Sequence, residues 1–280
     1  MSSSTISVPD QPNDMYAEDF IVKAYSAGVN SNQICYGLTD EVYGVQWQLS
    51  KSVPFSKKGF EEQVTNCDLL VIVADLSDEC ELENSYLMAS IGEVLGILVL
   101  IFTTNRLNED SDDICSSSIK QSQLFKITSA FQIHEERLSP SVFPNKNYKA
   151  LTINLLWKLK AIVEIVSLQS VIGVDYSDIR CCLNHKGICQ SFFGVGQGGD
   201  TVSKAITDLN RKLSSELLSN AKGVIITLFT GLDIHIAGIE KIYDDVMIMK
   251  VNREDSLVVF GVVVEPELND AKAISIMVSF

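Results

Sequence analysis

The chain has 280 residues, enough for one large domain or two modest ones, and its 46% hydrophobic and 21% charged residues make an ordinary globular balance. A formal charge of −14 at pH 7 repels a phosphate backbone and an anionic membrane surface, so neither nucleic acid nor direct membrane contact is expected. The 7 cysteines, an odd number without framework spacing, fit free thiols in a reducing cytosol.

Residues 1–18 are polar and lack both a basic start and an apolar run, which predicts a loose tail and no secretory signal. Phe20–Tyr25 reads as a short strand. Glu61–Asn66 closes a helix that leads into a strand at Leu69–Val73. Leu87–Leu95 is helical and feeds a strand at Ile97–Phe102. This alternation predicts a parallel, doubly wound sheet. Asn105–Ser118 is polar and acidic, hence a loop, and Ala130–Ile133 is strand-like. In Tyr148–Leu168, Leu155, Leu159, Ile162 and Val166 share one helical stripe. Leu151, Ile153, Leu156, Val163 and Ile165 carry that surface most of the way round, which predicts a buried central helix. Beyond it, Asp200–Leu218 reads as an amphipathic helix. Gly223–Phe229, Val246–Val251, Leu257–Val264 and Ala273–Phe280 read as strands of a mixed or antiparallel sheet. The expected organisation is a tail (1–18), a first α/β unit (19–146), a central helix (147–169) and a second unit (170–280). Ile97–Phe102 is too short to span a bilayer, and Lys158, Lys160 and Glu164 interrupt the apolar run Leu151–Val171.

Two motifs suggest chemistry. Cys181, Cys182, His185 and Cys189 cluster, but their spacing is wrong for a metal knuckle and no second ligand pair follows, so buried or half-buried thiols are expected. Gly194, Gly196 and Gly199 spell G-x-G-x-x-G between the apolar run Ile188–Phe193 and a helix. The motif lies far from any first βα turn and has no well-placed acidic partner downstream. A flexible turn entering a helix is the expected reading, and a dinucleotide-binding enzyme the competing one.

Three stretches carry a family resemblance. They are Val171–Arg180 (VIGVDYSDIR), Asn220–Ile226 (NAKGVII) and Val259–Asp270 (VFGVVVEPELND). In order and spacing they resemble FtsZ, the bacterial tubulin relative that builds the division ring. That family writes the first as N-V-D-F-A-D-V plus a basic residue, and the second as G-A, a basic residue, then G-V-L-V-N. It writes the third as a strand followed by an Asp-Pro turn. Cys67–Ala74 and Leu95–Leu98 resemble two further family strands, with matching spacing between them. The resemblance implies an α/β, tubulin/FtsZ-like fold. Its parts are a parallel Rossmann-like N-terminal sheet, a central spine helix and an α+β C-terminal domain with a mixed sheet.

The resemblance also locates a loss. Where the family places the phosphate-wrapping G-G-G-T-G-T-G, this chain has Ser77-Asp78-Glu79-Cys80-Glu81-Leu82-Glu83, without glycine and with four carboxylates. One carboxylate about 5 Å from a phosphate charge costs about 3 kcal/mol at an effective dielectric near 20. The competing readings are a solvated acidic helix start and a set bridged by a divalent ion. The first family loop, rich in glycine, becomes Ser26–Gln33 and keeps only Gly28. The base-contacting segment becomes His134–Leu138, and the guanine-contacting aspartate falls on Ile153. The glycine-rich switch segment has little room between Trp47 and Phe60.

Asp175 and Asp178 match the two carboxylates of the family's synergy loop, which serves the GTP of a neighbouring subunit. Gly173 stands where the family has asparagine, and helix capping is the alternative role for the two aspartates. The resemblance therefore implies catalytic help in trans from Asp175 and Asp178, without a GTP or metal cofactor of the chain's own. It also implies FtsZ-type subunits or further copies as partners, and a cytoplasmic place at the division site. The chain ends at Phe280, without the family's long tail and tether-binding peptide. The competing functions are a polymerising GTPase with a divergent pocket and a decaying copy with poorly cooperative unfolding.

Overall fold

The computed structural model describes residues 20–36, 38, 41–49, 56–104, 116–134, 149–168, 172–232, 239–242, 244, 256–268 and 270–280. The tail at 1–18, residues 105–115 of the loop expected at Asn105–Ser118, the segment 135–138 and the strand expected at Val246–Val251 lie outside the described residues, while residues 116–118 of that loop open a helix instead.

Strand and helix alternate through the first half. The order is β1 (Val22–Ser26), α1 (Val29–Cys35), β2 (Val45–Gln48), α2 (Lys57–Val64), β3 (Leu69–Ala74), α3 (Glu79–Val94), β4 (Leu98–Thr103), α4 (Ser116–Phe125) and β5 (Ser129–Gln132). All of these strands pair in parallel. β3 is buried along its whole length because both its faces are covered. Leu69, Val71 and Val73 join one core, and Leu70, Ile72 and Ala74 join the other, with the period of two that a strand imposes.

The central helix α5 (Ala150–Ser167) buries 14 of its residues, as its all-round apolar pattern predicts. It is followed by α6 (Tyr176–Leu183), β6 (Gly187–Gly196), α7 (Thr201–Lys212), α8 (Ser215–Ser219), β7 (Gly223–Thr230), β8 (Leu257–Val264) and β9 (Lys272–Ser279). The α5 side chain of Trp157 meets Phe229 edge to face at 4.9 Å and Phe193 at 5.7 Å. Thr152 Oγ1 donates to the carbonyl of Ile34 at 2.9 Å, and the Thr227 hydroxyl donates to Ala161 O at 2.8 Å. One helix is thereby tied to both halves.

The sheets of the two halves join edge to edge in the order β2-β1-β3-β4-β5-β6-β9-β7-β8. β6 makes the join because it is long. Gly187–Cys189 pair in parallel with β5, and Gln190–Gly196 pair antiparallel with β9. β7 is antiparallel to β9 and parallel to β8, so the second half is mixed as expected.

Two expectations need correction. The helix read through Asp200–Leu218 is two helices, because Leu213 turns extended and the Ser214 hydroxyl caps a new start by accepting from Leu217 N. Gly194 and Gly196 lie inside β6 and do not form a turn. A Cβ at Gly194 would sit 2.4 Å from Ala205 O, and one at Gly196 would sit 1.8 Å from Thr201 O. These glycines let α7 lie directly on the strand.

Candidate functional site

The first half has strand order 2-1-3-4-5, all parallel, and the order in which strands are added to the sheet reverses between β1 and β3. In open α/β sheets the crevice at the carboxyl ends of such a pair is where ligands bind. The junctions β1–α1 and β3–α3 meet there. They are the two segments that the family resemblance assigns to phosphate binding.

The α3 start is built by side chains on its own backbone. Asp78 is the N-cap, accepting from Glu81 N at 3.0 Å. Asp75 Oδ1 accepts from Ser77 N at 3.1 Å and from the Ser77 hydroxyl at 2.5 Å, which closes the preceding turn. Glu79 and Glu83 are exposed, and Lys120 of α4 pairs with Glu83 at 2.5 Å. That contact holds the Lys120 ammonium above its ordinary range.

Glu81 breaks the expectation of a wholly solvated acidic start, being only 2% exposed. It lies three residues into α3, on the face that also buries Ser85, Met88 and Gly92. Its side chain runs back into the crevice. Oε1 accepts from Asn30 N at 2.8 Å and Ser31 N at 3.2 Å, while Oε2 accepts from Asp75 N at 2.7 Å. Asn84, one residue short of a turn further on, donates to Ala27 O at 2.9 Å. Gly28, the glycine kept from the family's first loop, owes its place to this contact. A Cβ there would lie 2.6 Å from Glu81 Cγ and 2.7 Å from Oε1. The signal for Glu81 in the sequence was its helical phase, since it shares a buried stripe with apolar residues.

The Glu81 carboxylate thus takes up the three backbone amides that converge at the crevice. Asp75 and Asp78 flank the same spot and add to its negative charge. Ile153, in the place of the guanine-contacting aspartate, packs half-buried on the core. His134 is exposed.

Asp175 and Asp178 lie together at the start of α6. Asp175 is the N-cap, and its Oδ1 accepts from Asp178 N at 3.0 Å and from the Ser177 hydroxyl at 2.6 Å. Those donors hold the exposed Asp175 carboxyl below its ordinary range, the Ser177 hydroxyl contributing most. The next turn is pinned to the first half. Tyr176 Oη donates to Asp68 O at 2.5 Å, and Arg180 donates to Gly96 O at 2.7 Å.

The cysteine cluster is split by the fold. Cys182 is buried on α6, Cys189 is buried on β6, and Cys181 and His185 are exposed. Burial pushes the Cys182 and Cys189 thiols up to about 12, away from the thiolate a metal needs. Among the described residues no group of three or more His, Cys, Asp or Glu side chains is placed to hold a metal ion. Among them, too, no helix is long and apolar enough to cross a membrane.

No family model matches the chain. It is 22% identical over 230 residues to the cell division protein FtsZ of Coxiella burnetii, covering 78% of this chain and 58% of that protein. It is 25% identical over 229 residues to the FtsZ of Aquifex aeolicus, covering 78% of this chain and 61% of that protein. The chain thus spans about three fifths of the length of these relatives. Among solved structures, a point mutant of FtsZ from M. jannaschii superposes with a TM-score of 0.74 at 14% identity, covering 93% of this chain and 90% of that one. An empty FtsZ dimer from the same organism gives 0.72 at 14% identity, covering 93% and 88%. The plasmid segregation protein TubZ gives 0.59 at 9% identity, covering 92% and 88%. The chain is thus similar to FtsZ in sequence, and its fold is FtsZ/tubulin-like.

Proposed function

We propose that the chain is a cell-division protein of the FtsZ-like type that does without a nucleotide of its own and contacts FtsZ-type filaments through the loop of Asp175 and Asp178. The observation that carries this reading is the Glu81 carboxylate, which holds three backbone amides at the crevice where a phosphate would have to sit. The relatives named as cell division proteins support the general role, and an FtsZ dimer among the structural relatives supports partners of that type or further copies of the chain.

The two ends of such a subunit are then unequal. The face bearing the exposed Asp175 and the half-buried Asp178 offers carboxylates to a neighbour, where positioned groups orient the attacking water in phosphoryl transfer. The crevice face offers no nucleotide to the next subunit. A subunit of this kind adds at one filament end and stops growth there, or modulates turnover in the neighbour it touches. The test is light scattering of an FtsZ-type partner with GTP, with and without this chain. A substoichiometric change in polymer mass or GTP turnover supports the reading. Polymerisation indifferent to the chain, together with no contact in a pull-down, overturns it.

A further inference from the structure

We infer that Glu81 is a built-in oxyanion ligand. It locks the β1–α1 and β3–α3 junctions together, and a chain lacking its carboxylate takes up a free small oxyanion in its place. This deepens the reading above and rests only on its first half, that the crevice holds no nucleotide.

The geometry has the marks of a ligand site rather than of a surface contact. Three N–H donors from two chain segments, some 45 residues apart, converge on one carboxylate at 2.7–3.2 Å. The carboxylate is almost wholly buried, and none of its three partners is a side-chain cation. Backbone amides in that arrangement satisfy any oxyanion, since they read charge and shape and not identity. Glu81 itself is anchored at both main-chain ends, its N–H on Asp78 and its carbonyl accepting from the Ser85 hydroxyl at 2.7 Å. Gly28 is held free of a Cβ by the same side chain. With Glu81 cut to alanine, the donors remain and a carboxylate-sized volume opens beside Gly28. Buried amides without an acceptor are costly, so the variant gains by binding whatever small anion is supplied.

The experiment is thermal unfolding of the full chain as wild type, Glu81→Ala and Glu81→Gln. Each is measured in sodium chloride, acetate and phosphate at matched ionic strength. The wild type is expected to show only the general, non-saturating salt effect common to all three proteins. Glu81→Ala is expected to melt roughly 5–10 °C lower in chloride. It should then recover, saturably, with acetate or phosphate, and the order of the two reports which oxyanion fits. Glu81→Gln still fills the volume, so it should melt lower and not recover. Equal responses of Glu81→Ala and the wild type to the oxyanions overturn the inference, as do equal responses of Glu81→Ala and Glu81→Gln. If Glu81→Ala does not fold in chloride, its refolding yield is read instead. A yield raised by acetate supports the inference, and one unchanged by acetate overturns it. Gly28→Ala gives an independent reading, because its penalty should shrink in the Glu81→Ala background; simple additivity overturns the contact. Micromolar GTP binding by the wild type would overturn the nucleotide-free reading above, whereas a missing oxyanion response without GTP binding removes only the role given to Glu81.

Discussion

Glu164 makes the stability of this fold depend on pH near neutrality. It lies on α5 with only 4% of its surface exposed, in a cluster that ties three parts of the chain together. Lys160 is 3.5 Å away on the same helix and also pairs with Glu265, just past β8. Tyr43 N, before β2, donates to Glu164 Oε1 at 3.3 Å. Burial is the largest influence on the Glu164 carboxyl and outweighs the attraction of Lys160, with Glu265 adding repulsion, so its pKa rises from 4.5 to about 7. Burial also opposes the charge on Lys160, but the two carboxylates outweigh it and hold the ammonium above its ordinary range. The raised Glu164 value means that the folded chain binds more protons than the unfolded one between the two pKa values. Its contribution is therefore full below about pH 4.5 and is lost as pH rises through about 7. A rise from 4.5 to about 7 corresponds to about 3 kcal/mol in all. Urea unfolding of the wild type and of Glu164→Gln at pH 5, 6, 7 and 8 isolates this group. The wild type should lose about 2.5 kcal/mol more than the variant across that range, since the amide keeps an acceptor for Tyr43 and does not titrate. Parallel pH profiles for the two proteins would refute the assignment.

Three further outcomes follow from the packing and the caps. Gly194→Ala and Gly196→Ala force a Cβ into the α7 backbone and should each cost about 2 kcal/mol or more, whereas Gly199→Ala, with nothing within 4 Å of its Cβ, should be nearly neutral in chemical denaturation. The same geometry predicts no stabilisation by a dinucleotide, because the first two glycines of the motif are filled by the protein's own helix; a thermal shift with NAD would contradict this. At the α6 start, Asp175→Ala removes the cap and should lower the melting temperature, while Asp175→Asn keeps an acceptor for Asp178 N and should leave it nearly unchanged. If Asp175 serves a neighbour's pocket, Asp175→Asn loses its effect on partner GTP turnover despite its intact fold; an unchanged effect would leave Asp175 with its capping role alone.

The parts of this fold governed by local pattern were legible in the residues. Leu69–Ala74 and Leu98–Thr103 are continuous apolar runs because both faces of a central parallel strand are covered, and the all-round apolar surface of α5 marked a helix enclosed by both halves. Boundaries set by a single hydroxyl were harder to read. Ser214 stops one helix and starts another inside a run whose amphipathic spacing continues without a break. Apolar pattern marks α3 only from Leu87 because its first two turns are acidic, and the acidic start there rests on the Asp78 cap. The partners of Glu81 were out of reach of any local rule. Asn30 and Ser31 stand about 50 residues before it, and only the parallel pairing of β1 with β3 brings the two junctions together. Gly194 and Gly196 misled for a related reason: a glycine that admits a neighbouring helix looks the same in sequence as one that forms a turn.

The central claim is that the chain's own carboxylate occupies the place of a nucleotide phosphate. Titration of a fluorescent GTP analogue into the wild-type chain tests it most directly, with an FtsZ-type protein measured alongside as a positive control. No saturable binding at concentrations that fill the control is the predicted result, and saturable micromolar binding by this chain would contradict the claim.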